Sequence, residues 1–376
     1  MKILDILNED FSPNWTVIEG IKLFNDLKET NQSSVWHKEG NAFNHTKLVA
    51  ESMFNVINGK VTFVKNETFT DEQKVALMAA AICHDLGKST TTRWDDGLKE
   101  WKCKNHGLEG ERMTRILFFD EPDITLREKV CYMVRYHMAL HHVYDVPSKT
   151  NERIMKLSFG PASLYEMVCL NYADSMGSIN DEMTESELID KLNTVMLSDM
   201  SGVLTHEDVY QNYYGFRRKV KENSPTVYVM IGVAGSGKST WINNNIPNAT
   251  IISRDIIREK LGYAKPGQKV KCSKKEESKV SEVFMEEAIN ALSNGKDIVL
   301  DNMNITKRYR DAYHNDFIRF SPKYVYVYVE APTMNDNIVR RKGQISENEI
   351  KRMFNSIEFP EHHEYDVLIF DKQCVN

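Results

Sequence analysis

Hydrophobic residues recur at three- and four-residue intervals through the first half of the chain, from about Ile18 to Met200, most clearly over 47–57, 72–84, 126–138 and 163–176. That spacing gathers apolar side chains on one face of an α-helix and predicts a mainly helical first half. A short β-rich run at 60–64 predicts a strand. Past a polar, charged stretch at 213–223 the pattern changes. Thr226-Val227-Tyr228-Val229-Met230-Ile231 is a continuous run rich in β-branched residues, as in a strand buried on both faces of a parallel sheet. Similar runs at 250–253, 297–300, 324–329 and 367–370 alternate with helical stretches and predict β-α-β units. With the boundary near Pro225, the expected architecture is multidomain: an all-α helical bundle over 1–222, with its core at about 40–180, and an α/β domain with a parallel sheet over 223–376.

Composition narrows the classes. The 376 residues are 41% hydrophobic and 27% charged, which fits an ordinary globular chain of two domains. The longest apolar run, 75–83, is under half of the ~20 residues that a membrane helix needs. Asn8-Glu9-Asp10 follows the N-terminus too soon for a signal-peptide core, so a cytoplasmic location and no membrane partner are expected. Cysteines at 83, 103, 131, 169, 272 and 374 form no C-x-x-C pair, which argues against a disulfide framework or a zinc finger. The net charge of −6 argues against non-specific coating of nucleic acid. It leaves room for a local basic patch, and Lys265, Lys269, Lys271, Lys274 and Lys275 form an acid-free run that could meet backbone phosphates or simply be a solvated loop.

The second half carries the more specific motif. Gly232-Val233-Ala234-Gly235-Ser236-Gly237-Lys238-Ser239 fits G-x-x-x-x-G-K-[ST] and lies between a predicted strand and a helix beginning at Lys238. Glycines let backbone N–H groups cradle phosphate oxygens at the positive end of a helix. Lys238 would neutralise the β- and γ-phosphates, and the Ser239 hydroxyl can ligate Mg²⁺. After the next strand comes Ser253-Arg254-Asp255-Ile256-Ile257-Arg258, where Asp255 could accept a proton and Arg258 could clamp an acceptor phosphate; an exposed ion pair is the plain alternative. Asp301 and Asn304 close the third strand of this half; Asp301 is a candidate to orient Mg²⁺ or water, and Asn304 to touch acceptor or donor, although a plain strand-ending turn fits both. Arg340, in Arg340-Arg341-Lys342-Gly343, is a candidate to close over the γ-phosphate.

This combination resembles the polynucleotide kinase family of phage and bacterial end-healing enzymes, over residues 226–372. The resemblance implies that Gly232, Gly235, Ser236, Gly237, Lys238, Ser239 and Thr240 bind ATP with Mg²⁺. It further implies that Asp255 activates a 5′-hydroxyl, that Arg258 holds the acceptor nucleotide, and that Arg340 contacts the transferring phosphate.

Seven of the eleven histidines fall within the first 142 residues. His84-Asp85 ends an apolar helical run, where buried charge is costly unless paired or metal-bound, so a structural salt bridge and a metal site are both open. His45, His84-Asp85, His106, His137 and Asp174, in that order and on predicted helices, resemble the HD-domain phosphohydrolase superfamily over residues 40–180. That resemblance implies His45, His84, Asp85 and Asp174 around one metal. His106 and His137 then serve a second metal or bind phosphate. Mixed imidazole and carboxylate ligands suit Mn²⁺, Fe²⁺, Co²⁺, Ni²⁺ or Zn²⁺. Lys88 or the His141-His142 pair could neutralise substrate phosphate, or could be surface groups.

Taken together, the chain resembles a fusion of an HD phosphohydrolase with a polynucleotide kinase. The resemblance implies repair of RNA or DNA ends: removal of 2′,3′-cyclic, 2′- or 3′-phosphate, ATP-dependent phosphorylation of 5′-hydroxyl, and sealing by a separate ligase. No Asp-x-Asp-x-Thr phosphatase signature is present, so the HD part would have to supply the phosphatase. Two other readings stay open: an HD nucleotidase joined to a nucleoside or nucleotide kinase, and a non-catalytic NTP- and metal-binding regulatory module. Oligomeric state is not legible.

Overall fold

The computed structural model of the protein describes residues 1–65, 67–141, 143, 147–179, 183–265 and 272–372. His142, Lys269, Lys271 and Cys374 lie outside the described residues. The chain divides into two compact units, Met1–Val203 and Leu204–Asn376.

The first unit is helical: α1 Trp15–Ile18, α2 Lys22–Lys28, α3 Ala42–Ile57, α4 Asp71–Cys83, α5 Lys88–Thr91, α6 His106–Leu117, α7 Ile124–Tyr136, α8 Pro147–Ser158, α9 Leu164–Gly177 and α10 Glu185–Leu197. Polar caps set the starts of the central three. Asn41 accepts from the Asn44 amide at α3, while Thr70 with Gln73 and Ser163 with Glu166 form capping boxes at α4 and α9. α3 buries one stripe, including His45, Val49, Met53 and Val56. α4 is buried all round from Val75 to Cys83, which makes it the central helix, packed by α3, α7 and α9. Each large apolar side chain buried there contributes about 1.5–3 kcal/mol, which offsets the cost of the ionisable pair His84-Asp85 at its end.

The expected strand at 60–64 is absent; bends occupy 61 and 64–65, and the Val64 amide donates to the Asn193 side chain at 2.8 Å rather than to a neighbouring strand. The β-structure of this unit is instead an antiparallel hairpin, β1 Thr92–Asp95 and β2 Glu100–Cys103, which the helical periodicity of the sequence did not suggest.

The second unit contains α11 His206–Tyr214, β3 Thr226–Ile231, α12 Lys238–Asn245, β4 Thr250–Ser253, α13 Arg254–Lys260, α14 Lys274–Ser293, β5 Ile298–Asp301, α15 Lys307–Phe317, β6 Lys323–Glu330, α16 Met334–Arg340, α17 Glu347–Asn355 and β7 Val367–Lys372. The five strands form one parallel sheet in the order β4-β5-β3-β6-β7. β3 is central, and the order reverses across it. In open α/β sheets such a switch point, at the carboxyl ends of the strands, is where ligands bind.

The units divide earlier than Pro225, because α11 and the segment after it are held by the second unit's own core. Tyr210 Oη lies 2.9 Å from His314 Nδ1, and the Tyr214 ring stacks on His314 at 4.4 Å. Arg218, in the polar, charged stretch at 213–223, is buried and bonds Glu207 and both oxygens of Asp366.

Candidate functional sites

In the first unit the ends of four helices and the flank of a fifth converge. His45 comes from the first turns of α3, His84 and Asp85 follow α4, His106 opens α6, His137 follows α7, and Asp174 lies on α9. Close backbone approach makes this possible. A Cβ on Gly87 would collide with the His106 carbonyl, and one on Gly107 would sit 2.6 Å from the Arg135 carbonyl oxygen. A buried ion network also locks α6 to α7: Arg115 bonds Glu111 and Glu128, and Arg135 reaches Glu111 at 2.6 Å.

Asp85 is the hub. Its Oδ2 lies 3.2 Å from His84 Nε2 and 3.7 Å from His45 Nε2, while its Oδ1 lies 3.6 Å from His106 Nε2 and 3.8 Å from His137 Nε2. Asp174 Oδ1 meets His45 Nε2 at 2.9 Å, and its Oδ2 meets His141 Nε2 at 2.9 Å. Five of the six residues that the sequence nominated thus come together as two groups sharing one carboxylate, His45, His84 and Asp85, and Asp85, His106 and His137. The sixth, Asp174, joins the first group through His45 and His84.

The residues fit a cation. His84, His106 and His137 each use Nδ1 on the carbonyl three residues earlier (Ala81, Cys103 and Val134, at 2.8, 2.8 and 2.7 Å). Those bonds put the proton on Nδ1 and leave Nε2 a bare acceptor aimed inward. His106 and His137 then present two lone pairs to each other at 3.0 Å. That contact is repulsive unless a cation lies between them. His84 Nε2 and Asp85 Oδ1 are buried with no hydrogen-bond partner, a costly arrangement for polar groups that a metal relieves.

Electrostatics agree. Burial, with the neighbouring His106, pushes His137 down to about 3, and burial also lowers His106, so both rings stay neutral as metal ligands must. Burial pushes Asp85 and Asp174 up, but the charges and hydrogen bonds around them, from His84 and Lys88 at the first and from His84, His141 and His45 at the second, together outweigh it and hold both well below the usual carboxylate range. Burial works against a proton on His45, yet its bonds to Asp174 and Glu39 raise it to about 9, so a metal arriving there displaces a proton.

The sequence reading passed over part of this site. Glu39 lies 3.1 Å from His45 Nδ1 and 2.6 Å from His37 Nδ1, and also accepts from the Ile179 amide. No motif marks it, because it sits in an irregular stretch before α3. Lys88 is buried, bonding Asp85 at 2.6 Å and Gln32 at 2.7 Å, so it is no surface group.

In the second unit the glycine-rich loop follows β3 at the sheet's switch point. Gly235 and Gly237 hold φ of +84° and +104°, which side-chain-bearing residues rarely adopt. Lys238 folds back onto the Gly232 and Val233 carbonyls at 2.8 and 3.0 Å. Ser239 and Thr240 stand exposed in the first turn of α12, and Ser236 is buried within the loop with its hydroxyl unsatisfied. Asp255 opens α13 directly after β4, and since the strands are parallel it shares the carboxyl edge with the loop. Its carboxylate pairs with Arg258 at 2.6 Å, and Arg258 is gripped on its other side by Glu277 at 2.8 and 3.0 Å. Glu277 had no sequence signal. Arg340 donates to the Gly235 carbonyl at 3.1 Å, and Asn337, buried in the same helix, donates to that of Ala234.

Asn304 is not available to acceptor or donor. It is buried at φ +47°, its amide donates to Met230 and Leu300 carbonyls, and its oxygen accepts from Tyr313 Oη, so it stitches β3 to β5. A further acidic group, His206, Glu207 and Asp366, is filled by the Arg218 guanidinium and has no place for a metal. Lys265, Lys274 and Lys275 are exposed, the last two in the first turn of α14, where the helix dipole disfavours cations.

Residues 43–160 match the family model of the HD domain, and residues 227–360 match that of an AAA domain. The chain joins an HD domain to a P-loop kinase-like domain. No curated protein matches it. The HD match spans His45, His84, Asp85, His106 and His137 but stops short of Asp174, which α9 delivers to the same cluster. The kinase-like match spans the glycine-rich loop, Asp255, Arg258 and Arg340. HD domains depend on metal, and P-loop kinases bind ATP with Mg²⁺, so the two matches support a fusion of hydrolase-type and kinase-type domains. No described helix is long and apolar enough to cross a membrane.

Proposed function

We propose that the protein heals nucleic-acid ends: its HD domain removes 2′,3′-cyclic, 2′- or 3′-phosphate, and its kinase-like domain transfers the ATP γ-phosphate to a 5′-hydroxyl, leaving RNA or DNA ends for a separate ligase. The observation that carries this reading is the presence in one chain of two sites built for phosphoesters, one around Asp85 and one around Lys238.

In the HD domain, His45, His84, Asp85 and Asp174 would hold a transition metal such as Mn²⁺, Fe²⁺, Co²⁺, Ni²⁺ or Zn²⁺, with Asp85 also turned toward His106 and His137. Such an ion supplies a hydroxide nucleophile near neutral pH and polarises the phosphoryl group. Lys88, already ion-paired to Asp85, brings positive charge to the substrate phosphate. His141 steadies Asp174.

In the kinase-like domain, Lys238 leaves the loop carbonyls to neutralise the triphosphate, Ser239 ligates Mg²⁺, and Thr240 borders the phosphate cradle. Asp255 takes the proton of the attacking 5′-hydroxyl. Arg258 already meets the two oxygens of Glu277, the bidentate arrangement that an acceptor phosphate would take up. Arg340, at the Gly235 carbonyl, stabilises charge on the transferring phosphate.

An oligonucleotide with 5′-hydroxyl and 2′,3′-cyclic phosphate ends, incubated with ATP and a panel of divalent ions, tests both halves. The expected product carries 5′-phosphate and 3′-hydroxyl. Unchanged ends beside phosphorylated free nucleosides would instead favour a small-molecule kinase.

A further inference from the structure

Asp85, His106, His137 and Asp174 of the histidine–aspartate cluster line a cleft of about 760 Å³, the size of pocket that holds a whole drug-sized ligand rather than a phosphate alone. Its rim has a different chemistry. Trp36 lines the cleft with 41% of its surface exposed and has no ring partner among the described residues. Trp101, on β2, also lines it and rests edge-on against Trp94 at 5.4 Å. The two indole-bearing segments are tied together, because Ser33 donates to Glu100 at 2.9 Å.

Lys102, Lys104 and Lys191 line the same cleft above the buried Lys88. Among the described lining residues, Glu100 is the one carboxylate outside the histidine–aspartate cluster, and it is engaged by Ser33 and Lys102. In a chain of net charge −6, three rim lysines to one rim carboxylate make this rim a local reversal of the average surface. A flat apolar face beside positive charge is the surface that single-stranded nucleic acid recognises.

We infer that this cleft takes the 3′ end of a polynucleotide, with the terminal base stacked on the Trp36–Trp101 rim and the preceding phosphodiester carried by Lys102 and Lys104. The inference rests on the end-healing reading and adds to it the residues that select the substrate. The hairpin β1–β2 stands beside the cleft and supplies both Trp101 and Lys102 to its lining.

The test uses the full-length, metal-loaded protein and a 5′-phosphorylated oligonucleotide ending in a 3′-phosphate, made with either a normal or an abasic terminal nucleotide. Phosphate release gives KM, and anisotropy of a labelled strand with the same terminal nucleotide but a 3′-hydroxyl end gives Kd without turnover. Trp36→Ala and Trp101→Ala should raise KM and Kd roughly 5- to 150-fold on the normal end and leave the abasic end unmoved, with Trp101→Phe largely restoring the wild-type value. Lys102→Ala and Lys104→Ala should flatten the dependence of log Kd on log salt by about 0.7 each. A terminal base that contributes equally with and without the indoles overturns the inference and leaves end healing standing. Release of phosphate from nucleoside 3′-monophosphates but not from the oligonucleotide overturns both.

Discussion

At Asp85 one carboxylate serves two pairs of imidazoles, one pair per oxygen. Asp85→Asn keeps the shape and halves the ligand chemistry, because an amide offers one acceptor oxygen and a donor that faces lone pairs. Metal content after dialysis should fall steeply and 3′-phosphate release should vanish, while ATP binding is retained. Glu39→Gln is the finer probe. Glu39 touches no substrate and holds His45 by its far nitrogen, so losing its charge should weaken metal affinity by about 10–100-fold, measured by competition with a chelator. His45, His84-Asp85, His106, His137 and Asp174 were legible in the sequence as an ordered set that resembles the HD superfamily, not as single positions. Glu39 and Glu277 were not, because an outer carboxylate needs only proximity in space, which no spacing encodes. Asn304 stayed open between ligand and strand-ending turn for the converse reason: a polar residue at the active edge of a sheet resembles a ligand until its partners are seen.

At the level of elements, the metal cluster depends on how closely the segments after α4 and α7 approach α6. Gly87→Ala places a methyl group against the His106 carbonyl, where backbone on both sides has little room to yield. The expected cost is about 1–3 kcal/mol, seen as a lower Tm together with a loss of bound metal. In the second unit, His314 is buried between Tyr210 and Tyr326 hydroxyls, and burial, with Arg218 nearby, holds its pKa well below the usual value. The unfolded ring takes up a proton below about pH 6.5 and the folded ring does not, so this residue costs stability as pH falls, by up to about 1.4 kcal/mol per pH unit. The Tm of the wild-type kinase-like unit should therefore drop between pH 7.5 and 5.5 more steeply than that of His314→Gln. An equal slope would show that the ring is not buried neutral. The parallel strands and central helices were readable because buried elements show their period. The hairpin β1–β2 was not, since its strands are short and half-exposed and carry no alternation strong enough to stand out. The 60–64 run has the residues of a strand but no partner strand to bond.

Across the whole chain, each unit has its own buried core: one gathers around α3, α4 and α9, and the other around β3, β6 and Trp241 of α12. Two cores mean two folding units, so a change in one site should leave the other working. Asp255→Asn should lower 5′-phosphorylation by about 10²–10⁴-fold with ATP affinity unchanged, and should not touch phosphate removal. Arg258→Ala should act mainly on KM for the acceptor.

The most direct test of two separate phosphoester sites is to follow both ends of one oligonucleotide, 5′-hydroxyl and 2′,3′-cyclic phosphate, in wild type, Asp85→Asn and Lys238→Ala. The account predicts reciprocal loss: Asp85→Asn still phosphorylates the 5′ end but leaves the cyclic phosphate, and Lys238→Ala does the reverse. Loss of both activities in either folded variant, or of neither, would contradict it.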